Sequence, residues 1–301
     1  MTDFKTILSA RAELVEQALI SLLEDKPCGH ETERPRKLME AMRHSSLDGG
    51  KRLRPFLMIE AARLFDIEPE ECVVAACALE LIHCYSLVHD DLPAMDDDEL
   101  RRGRPTTHIA FGEDTAILAG DALLTLAFDV LSRETAHRDP AVRIELVRLF
   151  AGHAGLGGMV GGQMLDLEAE KQSNISEEQI LTLQSMKTGA LIRCACEAGG
   201  VLGGASAEQR KALLEFGALV GQAFQLADDI LDETSDASTM GKQTGKDADR
   251  GKGTLISLLG LETARDRAGQ LLQQAIDALA PFGNKADVLK ETARFTVERK
   301  H

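Results

Sequence analysis

Apolar residues recur at three- and four-residue spacing along most of the chain, and no run of alternating β-branched residues competes with that period. The pattern predicts helices over 4–24, 34–46, 55–65, 69–90, 112–136, 140–170, 176–198, 206–232, 254–279 and 285–299. Pro55, Pro69 and Pro140 stand where a first helical turn has no use for an N–H. Ser176-Glu-Glu-Gln179 has the form of a capping box, and Ser206 that of an N-cap. No repeat of fixed short period and no linker divides the chain. The expectation is all-α, one large helical domain over residues 1–301.

Two stretches interrupt the periodicity. GLGGMVGG at 155–162 and GGVLGG at 199–204 would weaken a helix by about 1 kcal/mol per glycine relative to alanine. They read as helix joints or close-packing positions. Neither follows a strand nor matches a dinucleotide or Walker pattern, so no phosphate chemistry is assigned to them. The polar stretch from Glu233 to Gly253 is the one long irregular segment, and it carries Lys242, Lys246, Arg250 and Lys252 among four glycines. It is either a solvated surface loop or a basic lid over a polyanion, and the acidic helix end before it favours the lid.

Composition narrows the partners. With 34 basic and 49 acidic residues the net charge is −15, which argues against nucleic-acid binding and obliges an anionic substrate to find local cations. One tyrosine, Tyr85, and no tryptophan leave an aliphatic, alanine-rich core. The six cysteines (Cys28, Cys72, Cys77, Cys84, Cys194, Cys196) form no CxxC pair and read as buried reduced thiols of a cytoplasmic protein. The N-terminus lacks the pattern of a signal peptide. The most apolar stretches, 72–82 and 115–131, are broken by Glu80, Asp121 and Asp129, short of the roughly 18 uninterrupted residues of a membrane span.

The chemistry concentrates in HCYSLVHDDLPAMDDDELRRGR, residues 83–104, where an apolar helix runs into six acids within ten residues and then three arginines. A second acidic cluster, DDILD, spans Asp228–Asp232. Asp228 and Asp232 are four apart and stand about 40° round a helix from one another, with Gln225 on the same stripe. Clustered carboxylates at a core's edge suit a hard cation such as magnesium; the plain alternative is a solvated helix end. Asp90 and Asp96 would diverge by about 120° on an unbroken helix. Pro93 ends or bulges the helix, so the intervening residues can loop out and return Asp96 towards the same cation. Arg101 and Arg102 are either neutralising partners of these acids or bidentate grips on phosphate. Lys51 and Arg54, in DGGKRLRP, surround a glycine turn entering a helix, an arrangement suited to anions. His83 and His89 default to structural roles. Lys187, beside Thr188 and Gly189, interrupts an apolar helix and calls for an anionic neighbour.

Together these residues resemble the trans-prenyltransferase (polyprenyl diphosphate synthase) family, its bacterial farnesyl diphosphate synthase branch above all. The likeness runs through GGKRLRP, HDDLPAMD, LRRGRPTTH, AGDALL, GGQMLDL, KTGAL, FQLADDILD and the GK-rich loop. It implies an isoprenoid-synthase fold around a deep central cavity, a homodimer and three magnesium ions, with manganese a possible substitute. The substrates implied are isopentenyl diphosphate with dimethylallyl or geranyl diphosphate. By motif match Asp90, Asp96 and Asp228 would hold metal, supported by Asp91, Asp229 and Asp232. Lys51, Arg54, His83 and Arg102 would bind isopentenyl diphosphate. Arg101, Lys187, Gln225, Lys242 and Lys252 would grip the allylic diphosphate, while the Thr188 carbonyl and Gln225 steady the carbocation. Both aspartate clusters are expected to face one apolar pocket.

The rival readings are a histidine–aspartate metal phosphohydrolase, a terpene cyclase, and a non-catalytic subunit of another synthase. Within the family, twenty-carbon or ten-carbon products are the alternatives to farnesyl diphosphate. Each added methylene gains about 0.8 kcal/mol in an apolar tunnel, so elongation needs a physical stop. In relatives an aromatic five places before the first aspartate forms that floor, the position of Tyr85, with Ser86 beside it one turn before Asp90. Tyr85→Ala should therefore lengthen the product, as read by chromatography of the dephosphorylated prenols; an unchanged profile would remove Tyr85 from that role.

Overall fold

The computed structural model describes residues 3–172, 174–234 and 255–298. These divide into two compact units, residues 1–59 with 68–147 and residues 60–67 with 148–301. Two of the three boundaries fall inside helices, α3 (Leu53–Arg63) and α7 (Pro140–Ala154), and the third, at 67/68, falls in the connection that follows α3.

The first unit also holds α1 (Phe4–Leu22), α2 (Arg36–Ser46), α4 (Pro69–Asp90), α5 (Thr107–Phe111) and α6 (Glu113–Ser132). Its centre is α4, which packs against α1, α2 and α6 and is apolar nearly all round, as a core helix must be. That helix and α6 are each long and apolar enough to cross a membrane by length and composition, but 72% of the α4 stretch is already buried within the protein. Between α4 and α5 a short hairpin pairs β1 (Leu100–Arg101) with β2 (Arg104–Pro105), Arg101 opposite Arg104. Its two-residue turn, Arg102-Gly103, has φ of 53° and 74°, the left-handed pair that a twisted hairpin favours.

The second unit contains α8 (Met159–Ala169), α9 (Glu177–Gln184), α10 (Ala190–Leu202) and α11 (Ala207–Thr234), followed by α12 (Leu255–Leu259), α13 (Leu261–Ala278) and α14 (Asp287–Glu298). Almost every residue of α10 is buried, and α11 packs along it. Ile180, Ala223, Leu226, Leu255, Ile256 and Ala264 form a core shared by α9 and α11–α13.

The helical period located the elements but joined some that the chain separates. The helix expected over 140–170 is α7 and α8, divided by Gly155–Gly158, where the glycines act as a joint. The helix expected over 176–198 is α9 and α10 with a five-residue π turn, Ser185–Gly189, between them. Capping boxes form at both predicted starts: the Ser176 and Ser206 N–H groups donate to Gln179 Oε1 and Gln209 Oε1, each at 2.9 Å. Five cysteines are buried, but Cys28 lies exposed outside any helix, because the Pro27-Cys28-Gly29 stretch follows the end of α1. The 233–253 segment lies almost wholly outside the described residues.

One buried ionic cluster braces α4 to what precedes it. Arg52, 4% exposed, donates to Glu80 at 2.8 Å, to Glu16 at 2.5 Å and to the Ser46 carbonyl at 2.6 Å. Glu80→Ala would leave the guanidinium buried without its central partner and should cost about 3–5 kcal/mol in chemical denaturation. Arg36→Ala, which removes the exposed Arg36–Glu40 pair, should change stability by less than about 0.5 kcal/mol.

Candidate active site

The first acidic bank begins where α4 stops. Asp90 is its last residue, and the chain after Pro93 turns back so that the Asp96 N–H donates to the Asp90 carbonyl at 2.8 Å and that of Asp98 to Asp91 at 3.2 Å. The looping-out that the Asp90–Asp96 spacing called for is present. Asp91 points inward: it is 3% exposed and ion-paired to Arg101, whose Nε lies 2.8 Å and Nη2 2.6 Å from Oδ1. Burial raises the Asp91 carboxyl above its ordinary range, and the Arg101 charge opposes that rise.

The neighbouring cations are placed by the hairpin and by a glycine turn. A Cβ on Gly49 would lie 2.7 Å from the Arg102 guanidinium, and one on Gly50 2.8 Å from it. The Arg102 guanidinium thus lies across the turn, in the space beside both glycines; Gly50, at φ 85°, is in the left-handed conformation that favours glycine. Lys51 is exposed in the same turn. Arg54 Nη1 meets His83 Nε2 at 3.2 Å. Burial, with the charges of Arg54, Arg102 and Arg101 adding to it, holds His83 well below the usual histidine range, so the ring is neutral and accepts from Arg54. Ser86 Oγ donates to the His83 carbonyl at 2.8 Å, and Tyr85 is buried, its phenol pushed up to about 12 by desolvation. A cleft of about 270 Å³ in this unit is bordered by Gly49, Gly50, Cys84, Asp91, Arg101 and Arg102.

The second bank lies on the last turns of α11. Asp229 accepts from the side-chain amides of Gln184 and Gln225, each at 3.2 Å. Burial pushes Asp229 up to about 6 against those two bonds, and the charges of Asp228 and Asp232 add to the rise. Gln225 is held at both ends, because its Oε1 also accepts from Thr188 Oγ1 at 3.1 Å. Thr188 and Lys187 sit in the π turn, a distortion that recurs at functional sites. The Lys187 ammonium donates to Asp166 of α8 at 2.5 Å, which supplies the anionic neighbour that a lysine in an apolar helix requires. α8 comes this close because Gly162 has no side chain: a Cβ there would stand 2.1 Å from the Lys187 nitrogen. A larger depression of about 700 Å³ in this unit, against Glu177, Met186 and Arg193, touches none of the residues expected for the site.

Within each unit, then, expected residues come together: Asp90 with Asp96, Arg54 with His83, and Lys187, Thr188, Gln225 and Asp229 around the π turn. Lys242 and Lys252 lie outside the described residues. Sequence reasoning missed Asp166 and Gln184. Asp166 lies four residues after Gly162 and so on the same face of α8, but only the structure shows that this face meets the π turn. Gln184 had no signal, because its role comes from the return of α9 beside α11.

The donors fit a hard cation, being carboxylate oxygens with no sulfur among them. Among the described residues no three histidine, cysteine, aspartate or glutamate side chains form a ready-made cage. A histidine–aspartate phosphohydrolase would need the two rings free. His83 Nε2 accepts from Arg54, and His89 Nε2 donates to the Ile117 carbonyl at 3.0 Å.

Aspartate-rich helix ends in an all-α framework, with guanidinium and ammonium groups beside them, define a protein of the isoprenoid synthase fold. The polyprenyl synthetase family profile matches residues 35–293, and the chain belongs to that family of prenyltransferases. It is 41% identical to the farnesyl diphosphate synthase of Escherichia coli (strain K12) over 99% of both chains. It is 39% identical to the geranylgeranyl diphosphate synthase of Cyanophora paradoxa over 98% of this chain and 96% of that one. Among solved structures it superposes on an FPP/GFPP synthase from Zymomonas mobilis with a TM-score of 0.87 and 41% identity, covering 98% of each.

Gly162→Ala should displace the π turn from α8 and cost about 1–3 kcal/mol, with far-UV helicity retained. A denaturation midpoint equal to wild type would mean that the approach of α8 is not as close as described.

Proposed function

We propose that the protein condenses isopentenyl diphosphate with dimethylallyl diphosphate and then with geranyl diphosphate, head to tail, to give (E,E)-farnesyl diphosphate. The observation that carries this reading is the pair of aspartate banks, each at the end of a helix, the first paired with Arg101 and the second held by the amides of Gln184 and Gln225. Asp90, Asp96 and Asp228 would hold magnesium, with Asp91, Asp229 and Asp232 in support. When bound, the metal supplies positive charge that lowers the cost of releasing diphosphate.

The allylic carbon–oxygen bond breaks and its electron pair leaves with the diphosphate. The double bond of isopentenyl diphosphate attacks the resulting cation, and a proton then passes to the released diphosphate. Arg101, Lys187, Gln225, Lys242 and Lys252 grip the allylic diphosphate, and Lys51, Arg54, His83 and Arg102 the other substrate. His83 serves there as a neutral ring oriented by Arg54. The Gln225 amide, fixed between Thr188 and Asp229, and the Thr188 carbonyl face the carbocation. Such preorganised dipoles cost no reorganisation as charge develops.

A fifteen-carbon limit is supported by the buried Tyr85 and by the relative from Escherichia coli; a twenty-carbon product is the reading favoured by the geranylgeranyl relative. Helices that run through two of the three unit boundaries support a single domain over 1–301. A cytoplasmic homodimer is part of the same proposal, supported by α6, which leaves Ile117 and Leu118 45% and 58% exposed.

Purified protein with magnesium, isopentenyl diphosphate and geranyl diphosphate should release pyrophosphate and form a fifteen-carbon prenyl diphosphate. Chelation should abolish turnover, and Asp228→Ala should lower kcat by about 10²–10³-fold. Turnover that persists in excess chelator, or product that forms without isopentenyl diphosphate, would overturn the assignment.

A further inference from the structure

Tyr85 does not stand alone on α4. His89 lies four residues on, hence on the same face, and the two rings meet edge-on with centroids 5.9 Å apart and an interplanar angle of 78°. The His89 ring is confined from two further directions. Its Nε2 donates to the Ile117 carbonyl of α6 at 3.0 Å. A Cβ on Gly120, one turn along α6, would lie 2.1 Å from Nε2, 2.5 Å from Cδ2 and 2.8 Å from Cε1. Those distances are far below contact, so α6 can carry no side chain at this position while the ring keeps its place. The carboxylate of Asp121 also faces His89, at 4.0 Å, from the next residue of α6.

We propose that His89 and Gly120 are positioning residues for product length. Gly120 opens the seat, the Ile117 carbonyl locks the imidazole into it, and the imidazole edge keeps the Tyr85 ring in its buried orientation. The inference rests on the reading of Tyr85 as the floor for the growing chain, and it adds a determinant on a second helix that never meets the substrate. Since a Cβ at position 120 acts through the ring of His89, its effect should vanish when that ring is gone.

The test is product analysis of folded variants, supplied with isopentenyl and geranyl diphosphates and read as the ratio of products longer than fifteen carbons to farnesyl diphosphate. Gly120→Ala and His89→Ala should each raise that ratio by about tenfold or more, the equilibrium equivalent of losing roughly 1.4 kcal/mol of preference. Gly120→Ala in the His89→Ala background should leave the ratio of the single His89→Ala variant unchanged. Circular dichroism and thermal melting establish that each variant is folded; should Gly120→Ala not fold, His89→Ala and Tyr85→Ala decide the matter. If Tyr85→Ala lengthens the product while folded His89→Ala and Gly120→Ala keep the wild-type profile, the positioning role is refuted and the floor survives. If Tyr85→Ala leaves the profile unchanged, the floor reading itself fails and takes this inference with it. A Gly120→Ala effect that persists in full without His89 would also refute the proposal, because the glycine would then act by another route.

Discussion

Like charges crowded at the end of an apolar helix repel one another, and the site's architecture follows from how that repulsion is contained. At Asp90–Glu99 the containment is cationic: a two-residue hairpin turns the chain so that Arg101 neutralises Asp91, while Arg102 is carried to the glycine turn beside α3. At Asp228–Asp232 it is dipolar, with Gln184 and Gln225 donating to Asp229. Burial raises the Asp91 and Asp229 carboxyls against those partners.

Absent side chains do as much as charged ones. Lys187 can occupy a π turn beside Asp166 because Gly162 lets one backbone approach another. Arg102 can lie across the turn at Gly49-Gly50, and His89 can sit against α6, for the same reason. At Gly162 backbone takes the volume that a Cβ would have filled, and at the other two places a polar side chain does. A mostly aliphatic, alanine-rich core makes this workable, since small residues let helices pack closely enough for a missing Cβ to matter.

Much of the local arrangement of the candidate site was legible in the sequence. The periodicity located α4 and α11, and the two aspartate motifs fell at their ends. The position of Pro93 anticipated the return of Asp96 to Asp90, because a residue without an N–H cannot extend a helix. Arg101 admitted two readings from the sequence, and only the structure shows that it pairs with Asp91, at 2.8 Å. The glycine clusters read as joints or close-packing positions, yet nothing in their spacing revealed that Gly162 seats the backbone of Lys187.

What the chain determined by itself was therefore local: the helical period, the caps at Ser176 and Ser206, the turn residues, and the gathering of carboxylates within single segments. These follow from interactions over a few residues, where identity and spacing suffice. Tertiary structure alone decided which distant groups pair, as with Asp166 and Lys187, Gln184 and Asp229, Arg52 and Glu80, or Gly120 and His89. Such partners lie 21 to 45 residues apart. Their meeting depends on how whole helices pack, and helix packing is a property of surfaces that no single segment contains.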